Sequence, residues 1–332
     1  MENYLLHLLV MLGIYAILVY SLNLVIGFGG LLSVCHAAFY GIGAYAYTLA
    51  VVGQPGARVT ENLMWSADWP FFAALLFSIL VTALIAYGVG WVVLRFRGDF
   101  FVFATLGFQM VAFVLLYNWI GLSNGPFGIY GIPRPEIFSF SPGSPGDFFI
   151  LVLALNGIAL PLLFLLYRSP FGLSLKALRE DSLAAQSLGV SAHKQFLAAF
   201  TLAAGFAAIS GALYASYVSY IDPTSFNLKE SLFIATVLLL GGGGNLKGPI
   251  TGAVFMLALP EVLRLFPISS AAAANLREIT YGVCLVLVMY FRPYGVFGIP
   301  HWDSVGKDRH DNKDDELPRS EKSPKQQKGG EA

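Results

Sequence analysis

The chain has 332 residues, 56% hydrophobic and 14% aromatic, with only 12% charged, about half the share usual in soluble domains. Twenty basic residues balance twenty acidic ones, so no global charge draws it to nucleic acid or to an acidic substrate. This composition excludes an ordinary soluble domain and makes lipid the main partner of the surface.

Apolar runs fall near 4–26, 32–53, 71–94, 100–121, 148–167, 197–219, 231–244, 249–265 and 277–291. Most approach the roughly 20 residues that cross a hydrocarbon core; the seventh and eighth are short, with a glycine cluster between them. The runs are continuous rather than alternating, which favours helices over a membrane β-barrel. The expected fold is all-α, a polytopic bundle of about nine transmembrane helices, with eight and ten also compatible.

The first run, MENYLLHLLVMLGIYAILVYSLNLVIG, contains no Lys or Arg and is longer than the apolar region of a signal peptide, so it is read as a retained span. LLSVC at 31–35 lacks both a basic leader and a small residue before the cysteine, so it is not read as a lipoprotein cleavage site. Cys35 and Cys284 lie in apolar runs with no metal-ligand or redox spacing and are read as small buried residues.

Basic residues orient the bundle. Arg95 and Arg97 follow the third run, Arg168, Lys176, Arg179 and Lys194 the fifth, and Lys247 the seventh, while Arg292 opens the tail. Counting crossings from an external N-terminus puts all of these on one face, which the positive-inside rule makes cytoplasmic, together with the C-terminus. The opposite loops hold Arg58, Arg134 and Lys229, with Arg264 and Arg277 near helix ends. Residues 1–300 then form the transmembrane domain, with a cytoplasmic loop at 168–195. Residues 301–332 are polar, charged and poor in apolar side chains, so a disordered cytoplasmic tail is expected, with His301 and His310 solvated.

The loop carries RSPFGLSLKALREDSLAAQSLG at 168–189. Ser169-Pro170 is a helix start and Gly189 a helix stop, and a single short helix fits between them. Leu175, Leu178, Ala185 and Leu188 fall on one stripe, while Lys176, Arg179, Glu180 and Asp181 crowd the rest. Two readings follow: a connector lying at the headgroups, or a helix that fits an apolar groove on a partner.

GGGGNLKGP at 241–249 is not a phosphate loop, because Leu246 precedes Lys247 and no hydroxyl follows it. It reads as a sharp turn or a re-entrant break between two short helices. Asn23, His36, Gln109, Asn118 and Asn156 lie within or near apolar runs, where each needs a partner. An interhelical hydrogen bond is the default for each. Asn23, His36 and Gln109 are the candidates for a place beside a transport pathway, His36 above all, because glycines at 27, 29, 30, 41 and 43 surround it. Glu261 with Arg264, and Arg277 with Glu278, read as interfacial anchors. No hydrolase or metalloprotease constellation is present, so no catalysis is expected of this chain.

SPFGLSLKALREDSLAAQSLGV, with Ala184 and Ala185 before Gly189 and Arg179-Glu180-Asp181 upstream, resembles the cytoplasmic coupling loop of ABC importer permeases. GFGGLLSVCHAAFYGIGAY at 27–45, GLSNGPFGIYGIPRP at 121–135, GGGGNLKGPITGA at 241–253, LPEVLR at 259–264 and FRPYGVFG at 291–298 are similar, in the same order, to the LivM-type permease of branched-chain amino-acid importers. Val34-Cys35 before His36, and a fourth glycine at Gly244, depart from the more usual pattern of that family.

The resemblance implies a permease subunit of the bacterial inner membrane. Its partners would be a related second permease, two cytoplasmic ATPases that use ATP and magnesium, and a periplasmic or lipid-anchored solute-binding protein; this chain would bind no cofactor. Leucine, isoleucine and valine are the implied cargo, although relatives carrying urea or short amides share the framework. The resemblance also makes 168–189 a coupling helix, in which Leu178, Ala185 and Leu188 fill an ATPase groove. Arg179, Glu180 and Asp181 would orient it through rim charges, with Ala184 beside them and Gly189 turning the chain. A rival of another class, a secondary transporter or channel without an ATPase, would require ionisable residues inside the spans.

Overall fold

A computed structural model describes residues 2–53, 67–96, 98–135 and 142–264, with scattered positions between 279 and 290. In chain order the helices are α1 (Glu2–Asn23), α2 (His36–Val51), α3 (Phe71–Val93), α4 (Asp99–Asn118), the short α5 (Ile120–Ser123), α6 (Pro145–Arg168), α7 (Pro170–Glu180), α8 (Ser182–Ser187), α9 (Ala192–Val218), α10 (Leu228–Gly241) and α11 (Gly248–Arg264). In lipid the backbone must satisfy its own hydrogen bonds, and helices do so within one segment. The described residues therefore form an all-α membrane bundle, apart from a two-residue antiparallel pair, β1 (Ile129–Tyr130) with β2 (Tyr220–Ile221), in register Ile129 to Ile221.

Among the described residues, five helices are long and apolar enough to cross a bilayer: Asn3–Phe28, Phe71–Val93, Asp99–Asn118, Pro145–Arg168 and Ala192–Val218. Burial sorts them into layers. In their most apolar windows 67% of the residues of the first and last are buried, against 28% in the other three, so α1 and α9 form the centre and α3, α4 and α6 face lipid. Small residues bring α9 close to its neighbours: Ala203, Ala204, Ala207, Ala208 and Ala212 are all buried, and α9 packs mainly against α2 and α3.

α2 and α10 do not start at a membrane surface. The first residue of α2, His36, lies 2.8 Å from Ser21 of α1, and its first-turn amides are bonded from other helices, Ala37 N by Ser231 Oγ at 3.3 Å and Ala38 N by Gln109 Oε1 at 2.9 Å, the latter also bonding Cys35 O at 3.1 Å. α10 likewise opens beside the middle of α1, where Tyr15 donates to Glu230 at 2.6 Å. At 14 residues α10 is about 21 Å long, which explains the short seventh apolar run. Its N-terminus is reached through β2 and a 3-10 turn, Pro223–Phe226, whose last carbonyl is satisfied inside the bundle by Gln109, donating to Phe226 O at 2.9 Å. Glu230, which in the sequence stands just before the seventh apolar run, is thereby carried to mid-depth beside the middle of α1 by a half-length helix.

A correction concerns 170–188, where a single helix is expected and two form. Ser169 caps α7, accepting from Gly172 N, with Pro170 at its first position. Asp181 then turns extended (φ −146°, ψ 104°) and its carboxylate accepts from Leu183 N at 2.9 Å and Ala184 N at 3.0 Å. An aspartate in that role starts a new helix rather than continuing the old one. Most of the ninth apolar run, the tail after 300, Cys284, Arg277 and Glu278, and the side chains of Glu261 and Arg264 lie outside the described residues.

Candidate functional site

At the end of the bundle where α1 finishes, its last turn widens into a π-helix, Leu24–Phe28. Such bulges loosen the backbone ladder and mark places where a helix bends. Gly30, with φ +68°, then reverses the chain. Three segments distant in sequence converge on this turn: α7, the glycine turn 241–248 and the end of α6.

α7 grips the π-turn with two cations. Arg179 Nη1 donates to Gly27 O, a carbonyl at the negative end of the α1 dipole. One turn earlier on α7, Lys176 Nζ lies 4.7 Å from the centre of the Phe28 ring, within cation–π range. Phe28 also stacks on Tyr167 of α6, ring centres 4.3 Å apart and nearly parallel, and Tyr167 donates to Tyr20 O. Leu175 of α7 is fully buried beneath these contacts, in one apolar cluster with Tyr20, Leu24, Phe28, Leu163 and Tyr167.

Asn23 and Tyr20 join the π-turn to the glycine turn. Asn23 accepts from Gly244 N at 2.9 Å and donates to Asn245 O at 3.0 Å, while Tyr20 donates to Leu246 O at 2.5 Å. Asn245 in turn accepts from Lys247 N at 2.9 Å and Gly248 N at 2.6 Å, fixing the start of α11. Gly27 must be glycine for this approach, since a Cβ there would overlap both Asn23 Oδ1 and the Gly244 nitrogen. The cluster 241–248 is thus the turn between α10 and α11, as its spacing suggests, and its amides are directed at Asn23 and Asn245 rather than at an anion.

The other face of α7–α8 is open. Leu183 is 76% and Leu188 85% exposed, and Leu173, Ala184 and Gln186 are exposed beside them. Leu178 and Ala185 are each only 3% exposed. The sequence assigned Leu178, Ala185 and Leu188 to one outward stripe. The break at Asp181 rotates α8 relative to α7, so that the first two face into the protein, only Leu188 points out, and Leu183, which the periodicity passed over, joins it. Arg179 likewise turns inward to Gly27 instead of standing at a rim; Glu180 and Asp181 are exposed. Gly189, at φ +89° with open space around its Cα, ends the segment in a conformation that disfavours a side chain.

Asn23, His36 and Gln109 are all buried and engaged within the chain: Asn23 at the glycine turn, His36 with Ser21, and Gln109 between Ala38 N and Phe226 O. Asn156 bonds Gly13 O at 3.1 Å across α1 and α6, whereas Asn118 is exposed and bonds only its own helix, at Val114 O. Cys35 is buried beside Ser33. The π-turn is the feature that sequence reasoning missed; GFGG at 27–30, directly after an uninterrupted span, was its available signal.

A family model for the branched-chain amino acid transport system permease component matches residues 4–289. The high-affinity branched-chain amino acid transport system permease protein LivM of Salmonella typhimurium is 34% identical over 306 residues, covering 85% of this chain and 67% of that protein. Its namesake from Escherichia coli is 33% identical with the same coverage. The probable branched-chain amino acid transport permease protein LivM of Methanocaldococcus jannaschii is 24% identical over 315 residues, 86% of this chain and 90% of that one. No solved structure matches.

Proposed function

The chain belongs to the branched-chain amino acid transport permease family, and on that premise we propose that it is the membrane-spanning subunit of an ATP-driven importer for leucine, isoleucine and valine. It is a multi-pass membrane transport subunit rather than an enzyme. The identity to two LivM proteins across 85% of the chain carries the reading. In it, a related second permease completes the pathway in the inner membrane, two cytoplasmic ATPases bind nucleotide and magnesium, and a binding protein delivers solute from outside. The basic residues at the α7–α8 end favour an orientation with the N-terminus outside and that end in the cytoplasm, with about nine crossings.

The α7–α8 segment is the docking element for an ATPase. Two short helices hinged at Asp181 present Leu183 and Leu188 to the cytoplasm, with Glu180 and Asp181 at their edge. Exposed leucines flanked by charge suit an apolar groove with a polar rim. They are held on one side by α7 residues buried in the bundle, as a segment that must pass on motion requires.

The test is uptake of labelled leucine by the five-component complex in proteoliposomes. Uptake should require internal ATP and be competed by isoleucine and valine but not by urea, and this chain alone should hydrolyse no ATP. Competition by urea would move the chain to the amide branch. Glu230 at mid-depth is the one observation that favours an ion-coupled carrier; leucine uptake driven by an ion gradient without ATPase subunits would establish that reading instead.

A further inference from the structure

We propose that Arg179 transmits movement of the α7–α8 segment to a cytoplasmic gate formed by two interlocked turns, the π-turn Leu24–Phe28 and the glycine turn 241–248. The inference rests on the coupling role proposed above and extends it inward: it assigns the part that moves and the residues that move it.

A lever needs a stiff grip on a soft element. α7 supplies the grip at two points on the same short turn, Arg179 on Gly27 O and Lys176 on the Phe28 ring. The π-turn supplies the softness, because its ladder is irregular: Gly29 N bonds Leu24 O at 3.2 Å, Leu31 N bonds Val25 O at 3.2 Å and Gly30 N bonds Ile26 O at 3.1 Å. Clearance around Arg179 is minimal. A Cβ on Gly30 would lie 2.8 Å from Arg179 Cγ, and one on Gly244 would lie 2.7 Å from its Nη1. The Arg179 side chain therefore sits in the cleft between both turns, so that a shift of α7 is passed to them through it.

Asn23 makes the two turns move together. It is fully buried and holds Gly244 N and Asn245 O at once, so bending at residues 24–28 pulls on the junction of α10 and α11. α10 ends here after its half-length run, and both its helix and α11 touch α1. A rigid-body shift of the docked segment would thus be converted into a hinge movement of the α10–α11 hairpin against α1.

The experiment uses the assembled complex with Cys35 and Cys284 replaced by alanine and spin labels at Lys247→Cys, in the glycine turn, and Arg95→Cys, on an exposed position after α3. With Arg179 intact, the 95–247 distance should change between the nucleotide-free and ATP-bound complex. Arg179→Ala should abolish that change and lower leucine uptake by about tenfold, while the ATPase subunits still copurify and still hydrolyse ATP; Arg179→Lys should recover part of both. Asn23→Ala, which leaves α7 seated on the π-turn, should keep the ATPase subunits and also lose the distance change.

Persistence of the distance change and of wild-type uptake in Arg179→Ala overturns the proposal. So does loss of the ATPase subunits from an inserted Arg179→Ala complex, which would make the side chain part of the docking surface. If Arg179→Ala fails to insert, the Asn23→Ala result decides, and a retained distance change there rejects the gate. Absence of ATP-driven leucine uptake in the unsubstituted complex would count against the functional reading instead.

Discussion

Asn23 Oδ1 and the Gly244 N–H meet at 2.9 Å, and the backbone of Gly27 closes over the pair so tightly that no side chain fits there. Gly27→Ala must push the π-turn away from the glycine turn. We expect a loss of about 1–3 kcal/mol, as for other overpacked sites, read as a lower melting temperature of the purified chain in detergent. Gly157→Ala on the lipid-facing side of α6, where a Cβ meets nothing within 4 Å, is the control and should be neutral or slightly stabilising. Equal melting temperatures for the two variants would mean that the turns are not in contact.

Asp181 separates α7 from α8 by capping the second helix through two backbone amides. Asp181→Ala should cost about 1 kcal/mol of local stability and raise amide hydrogen exchange across 182–188 with little effect on the bundle. Asp181→Ser, which keeps a capping oxygen, should restore protection. Unchanged exchange in Asp181→Ala would show that tertiary packing alone holds α8.

Outward and inward residues of the segment should fail differently. Leu183→Glu and Leu188→Glu alter exposed positions, so the chain should insert and melt normally while the ATPase subunits no longer copurify. Leu178→Ala should destabilise the chain by about 2–5 kcal/mol, as for a buried leucine. Ala185→Glu should damage the fold as well as docking, because it places a charge where 3% of the residue is exposed. Retention of the ATPase in a Leu183→Glu, Leu188→Glu double variant would assign docking to another surface.

Gln109 distinguishes a packing role from a pathway role. Replacing it by Leu strands the carbonyl of Phe226, at a cost of about 1–3 kcal/mol when buried without a partner, and leaves the amide of Ala38 only its 3.1 Å bond to Cys35 O. Stability should fall while the leucine concentration giving half-maximal uptake stays fixed for the protein that remains folded. A shifted half-maximal concentration with unchanged melting would place Gln109 on the route of the solute instead.

The long spans were legible because apolar length is a local property, and α3, α4, α6 and α9 fall close to their runs of hydrophobic residues. The short seventh run was legible as short. That it begins at mid-depth was not, because its starting level is set by Tyr15 and Gln109, more than a hundred residues away. In the coupling segment, the start at Ser169-Pro170 and the stop at Gly189 were readable from capping chemistry, and the cap at Asp181 was equally readable but was absorbed into one continuous stripe. The direction of Arg179 had no local signal: an arginine among charged neighbours on an amphipathic helix looks solvated, and only Gly27, 152 residues distant, turns it inward.

The half-length α10 has a consequence for how the protein is made. At about 21 Å it cannot bridge a hydrocarbon core of about 30 Å, and its first turn makes its polar contacts with Tyr15 of α1 and, through Ser231, with Val34 O, while Gln109 of α4 holds Phe226 just before it. During synthesis this segment should therefore have no stable transmembrane position of its own and should settle only against α11 and the earlier helices α1, α2 and α4 on which it packs. Its insertion should then be conditional on the N-terminal half, and a ribosome stalled between the two helices should hold a chain whose earlier spans are seated while α10 is still accessible at the membrane surface.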